Sequence, residues 1–326
     1  MLIPGDSPNF RFNKFIEYQH KVPPIDPATL LAYAERERLK TEDCILLCFL
    51  HSAVYCEVTA IHLFETIDWS TVTERQLEKF WREHKPNLQF NSSRRYAKNM
   101  NWFVPIMMGV MRKTQRDYRG WILCGFYSTY ESVRASVETL PYTGRFASEL
   151  FMDPLLWFAK KRIVEIDLKE PVSLPWKSCA NETSGLLNIL GFDSAADEYD
   201  KTGQLEAHLP ETLDRAMERV YRAIWKRHPE QIQIRSTALR KLCSFRNLFK
   251  GRRYGGFHHD RQLENLRKYE TAYPASGLWR RLYKIRKQLF VPQLLGEVGG
   301  WDGVRKDRNK LWLTKGLTGV EETNSH

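Results

Sequence analysis

Apolar residues recur along this chain at the three- and four-residue spacing of helices, and few stretches alternate as strands do. Asp26 and Pro27 open a predicted helix that runs through LLAYAERERLK. From Thr41 to Phe64 the chain is mostly apolar, with Cys44, Leu47, Cys48 and His51, then Val54, Val58, Ile61 and His62. A helix that is apolar all round is a buried one, so this stretch is the expected centre of the fold, with room for an interruption. Asp68, Trp69, Ser70 and Thr73 start another helix, in which Thr73 with Gln76 fits the reciprocal capping pattern and Leu77, Phe80 and Trp81 are the apolar positions. Further helices are predicted at 104–115, 121–138 and 210–228. Segments 162–168 and 232–235 are the best strand candidates. The stretch 171–185, PVSLPWKSCANETSG, reads as an ordered loop or linker. No repeat or heptad is visible. The expected class is mainly α, with a helical core in 1–170 and a second helical part in 171–326, the two parts also being compatible with one continuous domain.

Charge changes this picture. The 326 residues hold 42% hydrophobic and 13% aromatic positions, enough for a packed core, and a formal net charge of +11. Residues 1–170 carry 23 Lys and Arg against 21 Asp and Glu, and residues 171–221 carry 4 against 9. Residues 222–315 carry 23 against 7. A polyanion suits such a stretch, because neutralised phosphates release condensed counterions. A solvated basic face with no partner is the bland alternative.

The six cysteines form no Cys-x-x-Cys pair, and Cys44 and Cys48, one helical turn apart in an apolar run, read as core thiols. The opening MLIPGDSPNF lacks the apolar stretch of a signal peptide, and no run of 18 apolar residues is present. The expectation is a reducing cytoplasm and no membrane contact. No cofactor is indicated, and a divalent metal is left open.

Four segments carry candidate chemistry. In LPYTGRFASELFMD, ending at Asp153, a Leu-Pro-x-x-Gly turn opens a helix, as in the hairpin of helix-hairpin-helix DNA glycosylases. There a glycine turn and a helix N-terminus offer backbone N–H groups to a DNA phosphate. Here Tyr142 and Gly144 occupy the two glycine positions, with Arg145 next in line. A plain helix start with Phe146 and Leu150 packed inward fits these residues as well. In FNSSRRYAK, the cations Arg94, Arg95 and Lys98 suit a phosphate or pyrophosphate, or simply solvent. In FRNLFKGRRYGGFHHDRQLE, Arg252 and Arg253 stand among Gly251, Gly255 and Gly256, with Tyr254 and Phe257 placed to stack on an unpaired base. His258, His259 and Asp260 follow, and these groups can move protons near neutral pH. A flexible loop that only binds backbone is the alternative. Finally, LWRRLYKIRKQ is a basic amphipathic helix. Leu278, Leu282, Ile285 and Leu289 form its apolar stripe, with Arg280, Arg281, Lys284 and Lys287 on the remaining surface. It could face DNA, an acidic membrane or a partner.

Four blocks together resemble the helical, glycosylase-related enzymes of bacteriophage thymidine hypermodification, the alpha-glutamyl/putrescinyl thymine pyrophosphorylases or amino acid:DNA transferases. They are the Phe-x-x-Phe-Ile-Glu-Tyr segment from Phe12 to Tyr18, the Leu-Pro-x-x-Gly block ending at Asp153, Gly185-Leu186-Leu187, and Leu242 to Phe245 followed by Arg-Arg-Tyr. They extend over most of residues 12–270. The resemblance implies a helical DNA-glycosylase-like bundle with a basic C-terminal region, acting in the cytoplasm of an infected bacterium. Its implied substrate is DNA carrying phosphorylated or pyrophosphorylated 5-hydroxymethyluracil, flipped from the duplex. The implied reaction joins an amino acid or other amine to the C5-methylene carbon and expels the phosphate group. On that reading Arg94, Arg95 and Arg253 hold the leaving group, Asp153 or His259 is the base, and Tyr254 or Phe257 stacks on the flipped ring. The alternatives are a non-enzymatic DNA-binding protein and a DNA glycosylase. The latter calls for a complete hairpin, from which Tyr142 departs.

Overall fold

The computed structural model describes residues 5–21, 24–91, 99–123, 129–168, 180–227, 235–250 and 257–290. Among these residues the chain is helical, and no β-strand is formed. In chain order the first helices are α1 (Pro8–Lys21), α2 (Ile25–Glu37), α3 (Thr41–Val54), α4 (Glu57–Thr66) and α5 (Glu74–His84). Then come α6 (Met100–Thr114), α7 (Tyr118–Leu123), α8 (Tyr130–Glu138), α9 (Arg145–Lys160) and α10 (Ala180–Ile189). The last are α11 (Asp193–Thr202), α12 (Leu209–Arg227), α13 (Arg235–Phe249), α14 (Phe257–Ala272) and α15 (Leu278–Leu289).

The helices gather into two compact units, each described by itself. Unit 1 takes Met1–Pro24, Pro171–Glu264 and Phe290–His326; unit 2 takes Ile25–Glu170 and Asn265–Leu289. One border between the units falls after residue 170. The first 24 residues, however, join the later part, and Asn265–Leu289 joins the earlier one. The basic excess is therefore shared, with 27 Lys and Arg against 20 Asp and Glu in unit 2 and 23 against 19 in unit 1.

In unit 1, α12 presents Leu209, Leu213, Met217, Val220 and Ile224 at helical spacing, and all five are buried in the core. The same core holds Phe15 of α1, Leu186 and Leu187 of α10, and Leu242 and Phe245 of α13. The Phe15 and Phe245 rings meet edge to face at 5.4 Å. Gly185 lets α10 and α13 touch backbone to backbone, since a Cβ there would collide with the Leu242 carbonyl oxygen. A buried charge network clasps the same helices. Arg246, 1% exposed, donates to Asn188, Asp197 and Asp200. Arg11 donates to the Asn188 carbonyl at 2.8 Å and to Asp193 at 2.9 Å. Removing one partner from such a set leaves a charge buried without compensation.

In unit 2, α3 is the central helix. Every residue from Cys44 to Val54 is buried, and α4, α6, α7 and α9 pack against it. Tyr55, in the left-handed region at φ 47°, ends α3 and gives the apolar run its interruption before α4. Thr73 and Gln76 cap α5 reciprocally, as their spacing predicted, and Trp81 of α5 stacks on Phe103 of α6 at 4.6 Å. Burial pushes the Cys44 and Cys56 thiols up to about 12, so these are inert core groups.

Three expectations are corrected. Residues 180–185 belong to α10 instead of a loop, because Leu186 and Leu187 bury its face in the unit 1 core. Residues 162–168, expected as a strand, bury Val164, Ile166 and Leu168 in alternation, yet no neighbouring strand pairs with them among the described residues. Of 232–235, only Arg235 is described, and it begins α13. Leu289, expected in the apolar stripe of α15, is only half-buried, while Arg286 is buried beside Leu278, Leu282 and Ile285.

Gly185→Ala should lower the unfolding free energy by ~2 kcal/mol or more, because its methyl group meets backbone that cannot rotate away. A urea midpoint unchanged from wild type would refute this close helix contact. His62 of α4 gives a pH prediction. Burial first, then the neighbouring His84, lowers its pKa from the usual range to about 4. The unfolded chain takes up that proton near pH 6.5 and the folded chain only near 4, so stability falls as pH drops across this window. The loss is on the order of 3 kcal/mol, and His62→Phe should remove it. Parallel pH–stability curves for wild type and His62→Phe would contradict it.

Candidate functional site

Pro154 interrupts α9 chemically without ending it. Having no N–H, it leaves the Leu150 carbonyl, one turn earlier, without its helical donor. His51 of α3, fully buried, supplies the missing bond from Nδ1 at 3.1 Å. A carbonyl only accepts, so Nδ1 donates this bond and Nε2 is the nitrogen left to face a second partner. That nitrogen lies 3.5 Å from Asp26 Oδ2 at the start of α2, and the Asp26 side chain is 21% exposed. The pair is thus an acid–base couple with a fixed ring orientation and one member reachable from solvent.

Aromatic rings connect this pair to the surface. The His51 ring meets Tyr55 edge to face at 5.7 Å, and Tyr55 meets Phe146 at 5.8 Å. Phe146 lies in the first turn of α9 and is 48% exposed. The turn joining α8 to α9 spans residues 139–144. Its Thr143 hydroxyl is buried against the carbonyls of Val137 and Leu140 at 2.7 and 2.6 Å. Gly109 of α6 passes beneath, where a Cβ would stand 2.6 Å from Cγ of Pro141. These contacts force Tyr142 outward at φ 59°, where its ring packs on exposed Trp102 at 4.5 Å. A bulky residue in that region is strained, so the turn spends energy to display this ring. Gly144 is the N-cap of α9, no side chain caps it, and a Cβ on it would meet nothing within 4 Å. The first-turn amides of α9, those of Arg145 and Phe146 included, are donors that a helix cannot satisfy by itself.

The structure places the sequence candidates as follows. Gly144 and Arg145 are exposed at this corner. Asp153 is on the same helix but only 2% exposed, beside Cys48. Burial, then Cys44, then the Asp153 carboxylate hold the Cys48 thiol well above its ordinary value. His258, His259 and Asp260 open α14 in unit 1, so they do not share a unit with Asp153. His259 is fully buried, with its ring against Phe290 at 4.6 Å, and Asp260 is 4% exposed. Phe257 packs partly against the unit 1 core instead of standing free for stacking. In unit 2, Arg281 is held by Glu37 at 3.0 Å and Glu65 at 2.6 Å, while Arg280 and Lys284 are exposed. Arg94, Arg95, Lys98, Arg252, Arg253 and Tyr254 lie outside the described residues. The inward packing considered for Phe146 is not found, although Leu150 is buried as expected.

Sequence reasoning missed the His51–Asp26 pair. Its signal was present in Pro154, four residues after Leu150 in a predicted helix, with a histidine in the apolar run of α3. Among the described residues, no group of three or more His, Cys, Asp and Glu side chains is arranged to hold a metal ion, and no helix is long and apolar enough to cross a membrane. Comparison with protein-family models, with curated proteins and with solved structures returns no match for this chain.

The His51 bond to Leu150 can be tested by a double-mutant cycle. His51→Phe should cost ~2 kcal/mol by stranding a buried carbonyl. Pro154→Ala restores a main-chain donor, so His51→Phe should cost measurably less in that background. Strictly additive losses in urea unfolding would show that the histidine does not replace the missing amide.

Proposed function

We propose that this protein is a DNA base-modifying transferase that engages DNA with the α8–α9 corner, used as a glycosylase-like helix-hairpin-helix element. The observation that carries the reading is the coincidence, in one unit, of an exposed uncapped corner and the His51–Asp26 pair one aromatic ladder behind it. Uncapped N–H groups and Arg145 suit a phosphate, and the exposed faces of Tyr142 and Trp102 suit an unstacked base. The substrate is 5-hydroxymethyluracil in DNA, esterified with phosphate or pyrophosphate. The second substrate is an amino acid or other amine.

In the reaction the amine nitrogen forms a bond to the C5-methylene carbon. The carbon–oxygen bond breaks, and its electron pair leaves with the phosphate. One proton of the resulting ammonium passes to Asp26, with His51 Nε2 at 3.5 Å beside it. Asp26 takes this role in place of Asp153 and His259, because those two are 2% and 0% exposed. Arg145 offsets charge on the phosphate. A second reading, a non-enzymatic DNA-binding protein, is favoured by the same burial of Asp153, His259 and Asp260.

Mass spectrometry of nucleosides separates the two readings. DNA bearing phosphorylated 5-hydroxymethyluracil, incubated with the protein and a panel of amino acids, should yield nucleosides in which an amine has replaced phosphate. Asp26→Asn should lower the yield by about 100-fold or more while DNA affinity is retained, as expected for loss of a general base. Intact DNA binding without any mass gain would establish the binding protein instead.

A further inference from the structure

Helix α15 carries Arg280, Arg281, Lys284, Arg286 and Lys287 and no acidic residue. Two of these cations serve the fold of unit 2. Arg281 is held by Glu37 and Glu65, and Arg286 is buried along with Leu282 and Ile285. Arg280, Lys284 and Lys287 are exposed, and none of the three has a carboxylate partner among the described residues. The carboxylates that touch this helix are engaged elsewhere: Glu37 and Glu65 on Arg281, and Glu270 on the Tyr283 hydroxyl at 3.4 Å.

Positions 280, 284 and 287 fall on one face. At 100° per residue they span a sector of about 60°, and at 1.5 Å per residue they form a row about 10 Å long. Like charges three and four residues apart repel, so this face lowers the helix's own stability when nothing lies against it. Other exposed helix faces offset their cations. On α5, Lys79 faces Glu83 and Arg82 faces Glu78; on α12, Arg215 faces Glu211 and Arg222 faces Glu218. The α15 face keeps its repulsion, and Arg280 is steadied there over the Trp279 ring at 5.1 Å.

An anionic ligand removes that repulsion, and the length of the row selects its kind. One DNA strand presents a phosphate about every 3.4 Å along the axis, so about 10 Å offers three phosphates to three cations. An acidic membrane also carries phosphate, but a helix lying in a lipid surface inserts an apolar face. Here Leu278, Leu282 and Ile285 are buried in unit 2, and no large hydrophobic residue of α15 is exposed. The face offers charge and nothing to insert.

We propose that the Arg280–Lys284–Lys287 face of α15 is a second contact surface for duplex DNA, gripping the phosphodiester backbone without reading its sequence. Its choice of partner rests on the DNA reading above, whereas its chemistry is independent of the transfer reaction. The probe is an unmodified, fluorescein-labelled duplex of about 20 base pairs, titrated with the full-length chain by anisotropy at salt concentrations from about 50 to 200 mM. Arg280→Gln, Lys284→Gln and Lys287→Gln together should weaken binding and flatten the slope of log affinity against log salt by about 2 to 3, near 0.9 per lost phosphate contact. Arg75→Gln, Lys79→Gln and Arg82→Gln together remove the same charge from the exposed face of α5. They should leave the slope within about 0.5 of wild type. Lys284→Gln alone, flattening the slope by about 1, carries the test if the triple α15 variant loses its helical circular dichroism. An unchanged slope in the α15 variant, equal flattening from α5, or binding to phosphatidylserine vesicles with no affinity for the duplex would each overturn the proposal. A flattened slope without any nucleoside mass gain would support this surface and reject the transferase. Mass gain with an unchanged slope would reject this surface alone.

Discussion

Every polar group carried into a helical core must find a partner there, and in unit 2 one missing amide hydrogen sets that requirement. Pro154 leaves the Leu150 carbonyl unserved inside α9, and a histidine on the packed central helix supplies the donor. Serving the carbonyl fixes the ring's orientation, and its other nitrogen then faces Asp26 at 3.5 Å. The acid–base pair is thus a consequence of helix chemistry. Unit 1 meets the same constraint differently. Arg246, buried nearly completely, is surrounded by Asn188, Asp197 and Asp200, all on its own unit's helices.

Much of the fold was legible because its periodicity is strong. The apolar run of α3 and α4 predicted a buried centre, and Thr73 with Gln76 predicted a cap, because both signals are local. Unit membership was not legible. Whether α1 packs with α10, α12 and α13 depends on Phe15 finding Phe245 across more than two hundred residues, and no spacing within either segment encodes that meeting. The segment 162–168 was read as a strand; its alternate residues Val164, Ile166 and Leu168 are buried, but pairing needs a second strand, which a single segment cannot announce.

The blocks that gave the family resemblance divide instructively in space. Phe15, Gly185, Leu186, Leu187, Leu242 and Phe245 converge in the unit 1 core, where Gly185 and Leu242 touch backbone to backbone. Their pattern therefore records a packing requirement, which constrains a fold more tightly than it constrains a reaction. The Leu-Pro-x-x-Gly block is different, since it ends at a solvent-facing corner with an uncapped helix. Candidate chemistry chosen by residue type alone fared unevenly for a related reason. His259 and Asp153 have the right side chains, yet their helices turn them into cores, and no composition or charge count reports which way a helix face points.

The α8–α9 corner shows the opposite tendency, and that contrast supports the proposed reading more directly than charge does. Stability would be served by glycine at position 142, since the left-handed conformation there costs a side chain ~1 kcal/mol or more. Stability would also be served by a capping side chain at 144 and by a smaller, polar residue in place of exposed Phe146. The corner instead accepts strain, an open helix end and bare aromatic surface within a few residues, held rigid by Thr143 from within and by Gly109 beneath Pro141. Rigid support under locally unfavourable choices is the pattern that the proposal of a DNA-facing corner calls for.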